Sequence, residues 1–218
     1  VLALVIDTSS AAVTTGVVTC SPEVRVLAEQ VTLNARAHCE SLAPSIHAAL
    51  AKAGVKMADL DAVMAGVGPG TFTGLRVGLV TAGVIADVLS IPSYAVCSLD
   101  AMATVTRHHG SLLVAADARR REVYWARYVD GDRQGSPMVT KPGEVNIEAN
   151  AMVGAGARQY ADVLGFPLLD GDFPTVAGVA AMAAARACAA EQSEPLTPLY
   201  LRRPDAVAAS PRKPAASQ

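Results

Sequence analysis

The hydrophobic pattern of this chain runs through one cycle of strands and helices and then starts again, which points to a fold of two related halves. In the first cycle, Leu2–Ile6 is an apolar run that stops at Asp7-Thr8-Ser9-Ser10, and the β-branched runs Val13–Cys20 and Val24–Leu33 follow. Three short strands with tight turns predict an antiparallel meander. A helix is expected over 37–53, because Leu42, Ile46, Ala49, Leu50 and Ala53 share one face, and Gly54 stops it. Ala62–Val67 reads as a buried strand, followed by a glycine-rich turn, a long helix to about Ser90 and a strand over Ser93–Cys97. The order β-β-β-α-β-α-β predicts a mixed sheet flanked by helices.

The second cycle begins at Ser111–Asp117, continues through Glu122–Val129 with period 2 at Val123, Trp125, Arg127 and Val129, and has a third strand at Pro137–Lys141. Ala151–Val153 then leads into Gly154-Ala155-Gly156 and a helix. The Ala-rich helix over 175–190 is expected to pack back on the first half. The implied organisation is an amino-terminal subdomain over 1–105, a reduced second one over 106–174, and an Ala, Pro and Ser tail over 205–218 that reads as disordered.

With 51% hydrophobic and 17% charged residues, the body has enough apolar surface for a real core. A net charge of −2 argues against a strongly cationic nucleic-acid binder, and 4% aromatic residues are too few for a base-stacking platform. No basic start with a long apolar stretch follows Val1, and Val77–Leu89 and Val176–Ala190 both fall short of a spanning helix. A soluble, cytoplasmic protein without a membrane contact is therefore expected. Cys20, Cys39, Cys97 and Cys188 are scattered and predict buried free thiols, not a disulfide frame or a metal site.

Four stretches could carry chemistry. Asp7-Thr8-Ser9 ends the first strand, where a carboxylate and hydroxyls can hold a metal–phosphate or simply close a turn. Gly66-Val67-Gly68-Pro69-Gly70-Thr71-Phe72-Thr73-Gly74-Leu75-Arg76-Val77-Gly78 resembles an anion-binding loop, but it lacks both the P-loop lysine and the Gly-x-Gly-x-x-Gly spacing. On the helix after it, Gly74, Gly78, Ala82 and Ala86 recur every four residues, and small residues at that spacing permit a close backbone approach. The neighbour could be this chain's own sheet or a helix of another chain. Asp117-Ala118-Arg119-Arg120-Arg121-Glu122 stands where Asp7 stands in the first half, either as a solvated turn or as a grip on an anionic partner. His38 and Cys39 are sequence neighbours on a helix, so their side chains diverge and make no catalytic pair.

Taken together, Asp7-Thr8-Ser9, Arg36-Ala37-His38-Cys39-Glu40-Ser41-Leu42-Ala43-Pro44, Gly68-Pro69-Gly70-Thr71-Phe72-Thr73-Gly74-Leu75-Arg76-Val77-Gly78, Asp117–Ala126 and Pro198-Leu199-Tyr200-Leu201-Arg202 carry a family resemblance. Over residues 2–203 the chain resembles the YeaZ-like TsaB family of bacterial tRNA threonylcarbamoyladenosine biosynthesis proteins. The resemblance implies an α/β, actin/Hsp70/sugar-kinase-like fold and a part in placing threonylcarbamoyl on the adenosine beside the tRNA anticodon. It implies a non-catalytic subunit that pairs with its catalytic paralogue TsaD, and with itself, while the ATPase TsaE joins the pair and tRNA is met through the complex.

The family's pairing surface maps here onto His38, Glu40, Leu42, Ile46, Thr73, Gly74, Arg76, Gly78 and Ala82. The paralogue's His-x-x-x-His metal ligands fall at Ser98 and Met102, which are no substitute for two imidazoles, so neither a metal nor a tightly bound cofactor is expected. ATP with Mg is expected only at a site composed with partners, to which Asp7, Thr8, Ser9, Asp117 and Arg119 would contribute. The competing readings are a phosphotransferase of the same fold with Asp7 and Asp117 around Mg-ATP, and a glycoprotease-like peptidase.

Overall fold

A computed structural model describes residues 1–33 and 38–202; the expected tail over 205–218 lies outside them. The first half forms a five-stranded sheet in the order β3-β2-β1-β4-β5, built from β1 (Leu2–Asp7), β2 (Ala12–Thr19), β3 (Arg25–Leu33), β4 (Ala62–Gly68) and β5 (Ser93–Cys97). The β1–β2 and β2–β3 pairs are antiparallel, while β1–β4 and β4–β5 are parallel. The parallel pairs need crossovers, and two long helices supply them: α1 (His38–Ala53) and α2 (Phe72–Leu89).

Period 2 along β1 sorts its side chains to two faces. Leu4 and Ile6 join Leu42, Ile46, Leu50, Leu75 and Leu79 under α1 and α2. Ala3 and Val5 face the opposite way and pack with Val176, Val179, Ala180 and Ala183 of α6 (Val176–Cys188). Helix α6 is capped by Thr175, whose hydroxyl accepts from the Gly178 N–H, and by Glu29, which accepts from the Val176 N–H.

The second half is smaller, with order β8-β7-β6-β9: β6 (Ser111–Asp117), β7 (Val123–Val129), β8 (Asp132–Thr140) and β9 (Ala151–Val153). The short helices α4 (Ala155–Gln159) and α5 (Ala161–Leu164) cover one face through Ala157 and Leu164. The other face packs on α3 (Ser98–Thr106), an element the sequence reading lacks. Ala101 of α3 belongs to the core of the first sheet, whereas Leu99, Met102 and Ala103 belong to that of the second. The helix is apolar on two sides, so it carries no single amphipathic stripe to betray it. Asp100 locks the junction by accepting from the Tyr128 hydroxyl at 2.7 Å and from Arg133 at 2.8 and 2.9 Å.

Two composition-based expectations need correction. Helix α2 spans 18 residues with mean hydropathy 1.6, so by length and composition it could cross a membrane, whereas the stretch was expected to fall short. Its Gly74, Leu75, Gly78, Leu79, Ala82 and Ala86 nevertheless face inward, as in a core helix. The four cysteines are free, but only Cys20 is buried; Cys97 is half-buried, and Cys39 and Cys188 are exposed.

Candidate functional site: a closed cleft and an open helix face

The two halves meet at a cleft where two turns confront each other, the β1–β2 turn carrying Ser9 and Ser10 and the β6–β7 turn carrying Asp117 and Arg119. His38, Thr71, Ser98, Met102, Gln159 and Asp172 complete its walls. The cavity measures about 140 Å³, below the roughly 300 Å³ at which ligand pockets begin.

Asp7 stands behind this wall, 1% exposed. Its Oδ1 accepts from the Ser9 N–H at 2.9 Å and the Ser9 hydroxyl at 2.7 Å, and its Oδ2 accepts from the Ser98 hydroxyl at 2.6 Å. Burial pushes the carboxyl above its ordinary value, against the lowering effect of these donors. A Cβ on Gly66 would collide with the same carboxylate. Thr8 is buried too and donates its hydroxyl to the Gly74 carbonyl at 2.7 Å. Gly70 leaves room for the backbone of Ser9, and His38 donates from Nε2 to the Ser10 carbonyl at 2.9 Å.

The glycine-rich loop therefore spends its freedom on an intramolecular seam. Of the five residues expected at a phosphate site, the structure brings Ser9, Asp117 and Arg119 to the cleft and encloses Asp7 and Thr8. Among the described residues, no three His, Cys, Asp or Glu side chains converge as a metal site would require. Three donors and burial enclose Asp7 and the cavity is small, so the residues present do not fit Mg-ATP in this conformation. The family resemblance placed Ser98 and Met102 where the paralogue holds its metal, and both line this cleft; that Ser98 donates to Asp7, 91 positions earlier, was not legible in the sequence.

The small-residue stripe also finds its partner inside the chain. A Cβ on Gly74 would lie 2.7 Å from the Thr8 carbonyl oxygen, and one on Gly78 would overlap the Thr8 hydroxyl. Gly74, Gly78 and Ala82 are thus buried under the first sheet, as are His38, Leu42 and Ile46 of α1. Of the expected pairing surface, only Glu40, Thr73 and Arg76 remain exposed. Of the two neighbours the stripe leaves open, the structure shows this chain's own Thr8 against Gly74 and Gly78, residues that the family resemblance had placed on a pairing surface; small residues mark a close approach without saying whose backbone approaches.

The outward side of α2 is the apolar one. Val80, Val84 and Val88 are 64%, 55% and 76% exposed, and Phe72 lies on the same four-residue spacing. Arg76 sits over the Phe72 ring at 3.8 Å, and Phe72 stacks on Tyr200 at 5.1 Å. The closing segment that carries Tyr200 is anchored by the Leu199 N–H to the Val67 carbonyl, and it continues to Arg202, which pairs with Glu122 and donates to the Ala118 carbonyl. A groove between this segment and the helix is lined by Leu79, Val80, Leu196 and Pro198. Helix α1 lies beside α2 on the same face of the sheet, with Ala43, Pro44, His47 and Ala48 exposed.

Residues 25–210 match the family described as TsaD, tRNA N6-adenosine threonylcarbamoyltransferase. An uncharacterized protein of Mycobacterium tuberculosis is 48% identical over 93% of this chain and 92% of its own length. The tRNA threonylcarbamoyladenosine biosynthesis protein TsaB of Bacillus subtilis is 36% identical over 47% of this chain and 45% of its own. The solved structure of YeaZ from Pseudomonas aeruginosa superposes with a TM-score of 0.76 at 26% identity, covering 92% of this chain and 99% of YeaZ.

Proposed function

From the premise that this chain belongs to the TsaD family, in its YeaZ-like TsaB form and with an actin/Hsp70/sugar-kinase-like fold, we propose that it is a non-catalytic docking subunit. The likeness to TsaB and YeaZ supports a role in forming threonylcarbamoyladenosine in tRNA. The finer reading is that it binds and activates a TsaD-type threonylcarbamoyltransferase in the cytoplasm, through α2 and the exposed side of α1.

The apolar stripe of Phe72, Val80, Val84 and Val88 carries this reading. Exposed apolar side chains in a contiguous row mark an interaction face, and the Phe72–Arg76–Tyr200 stack supplies the aromatic and arginine anchors typical of energetic centres. The same face would accept a second copy of the chain, so self-pairing and partner binding compete. Because Asp7 is enclosed and the cleft is small, ATP and Mg are assigned to a site shared with TsaD and TsaE. Catalysis is assigned to the paralogue on the same grounds.

The test is a pull-down of the TsaD partner by wild type and by Val84→Asp. An unpaired carboxylate in an apolar contact should weaken capture by at least about tenfold, ~1.4 kcal/mol, and threonylcarbamoylation should fall with it. Val84 is exposed, so the thermal melt should not move. Undiminished capture by the variant would refute the docking face.

A further inference from the structure

We infer that the Arg119–Arg121 turn, with Arg202 beside it, is a contact for the phosphate backbone of RNA. This deepens the reading above, because it says where the tRNA substrate of such a complex would touch this chain. Arg119, Arg120 and Arg121 have φ of 59°, 55° and 62°, three consecutive residues in the left-handed region. Other non-glycine residues in that region occur singly among the described residues, at Ser90, Arg107, Asp130 and Ala190. Side chains other than Gly and Asn avoid this backbone, and strained stretches persist where they place groups for use. The turn is closed by the Ala118 N–H to the Glu122 carbonyl at 3.0 Å and the Glu122 N–H to the Arg119 carbonyl at 2.9 Å.

The exposed side chains of this corner are arginines, Arg119, Arg120 and Arg121. Arg202 lies beside them, and the turn's own sequence adds the carboxylates of Asp117 and Glu122. Asp117 is engaged by the Arg119 N–H at 2.8 Å and lies 3.6 Å from the Arg119 Nε, while Glu122 is taken by Arg202. Arg121 is exposed and makes no hydrogen bond or ion pair with a described residue. In a chain whose net charge is −2, this is a local concentration of positive charge.

Three observations favour RNA over the other anions. Between Ser111 and Val129 no large hydrophobic side chain is exposed, so the patch lacks the apolar anchors that a protein partner uses, whereas phosphate contacts need only charge and donors. Guanidinium groups match phosphate oxygens in geometry. Of the three turn arginines only Arg119 lines the cleft, where the carboxylates of Asp117 and Asp172 oppose an anion, so an anionic strand would pass outside it. The Pro198–Arg202 segment sets this corner next to the α2 face without covering it: Tyr200 stacks on Phe72, and Arg202 reaches the turn.

The test is fluorescence anisotropy of a labelled, unmodified tRNA transcript titrated with the full chain over a salt series. Arg121→Gly and the double variant with Arg119→Gly remove charge at positions whose backbone glycine adopts freely, so melting should not fall. The single variant should weaken tRNA binding by about fivefold and the double by more than about tenfold. The slope of log K against log salt should become shallower by roughly one per arginine removed. Arg121→Lys should keep most of the affinity. Absence of tRNA binding by wild type, or an unchanged affinity and slope in the variants, would overturn the inference. A polyglutamate peptide bound as tightly as tRNA would also overturn it, by assigning the turn to an acidic protein. Both glycine variants leave α2 intact, so partner capture reports on the docking reading separately.

Discussion

The β1–β2 turn and the β6–β7 turn hold corresponding places in the two halves, yet one is packed solid and the other faces solvent. Asp7, Thr8 and Ser9 are enclosed by Gly66, Gly70, Gly74 and Gly78 and by the Ser98 hydroxyl. Asp117 is partly exposed, its turn is held by two backbone hydrogen bonds, and three arginines project from it. The difference lies in what approaches. Helix α2, with its small residues, comes down on the first turn, whereas the helix in the corresponding place of the second half is the five-residue α4. The duplicated plan supplies two polar turns at a cleft; helix packing turns one into core and leaves the other as surface.

The sharpest way to break this contrast is Gly78→Leu. A side chain there must displace Thr8 and the turn behind it, a cost of at least about 1–3 kcal/mol that should lower the melting temperature by roughly 2–12 °C. Gly78 was first expected to face a partner, in which case a bulky residue would spare the isolated monomer; calorimetry of the chain alone distinguishes the two. An unshifted melt would mean that the first turn is not filled as described.

A smaller effect is expected from Asp7→Asn, read as stability against pH. Burial holds the Asp7 carboxyl above 3.8 in the folded state, so its contribution to stability is complete below that value. It is lost as pH rises through the native value. The wild type should therefore lose stability relative to Asp7→Asn across the acidic range as pH increases. Parallel curves would show that the carboxyl is not enclosed. The least perturbing probe is alkylation at neutral pH. Burial, with the nearby Asp100 carboxylate, pushes the Cys97 thiol up to about 11, so Cys97, packed against the core of the second sheet, should label far more slowly than exposed Cys39. Equal labelling by peptide mass mapping would place Cys97 at the surface.

Much of the architecture was readable in advance because it rests on local signals. The β5 and β9 spans match the expected ones, and the first β-meander and both long helices lie within a residue or two of expectation, since β-branched runs, the α1 periodicity, Gly54 and Pro92 each act within a few residues. The exceptions are instructive. Helix α3 went unseen because two cores share it, and β8 begins at Asp132, earlier than Pro137, because its outer half is exposed and carries no apolar alternation. The candidate site was less legible. Sequence placed Asp7 and Arg119 together as ligand candidates, and only contacts over long separations revealed that the first is sealed by Ser98 and α2 while the second stands at the open rim.

Residue order was enough to specify two β-led halves, the family pattern and a helix with small residues every fourth position, because those depend on spacing along one chain. Which side of that helix is core and which is left exposed was settled by folding alone. A glycine stripe records that some backbone must come close, and the three-dimensional arrangement identifies that backbone as the chain's own, at Thr8. Once the small face is consumed there, no described residue fully covers the valines on the other side.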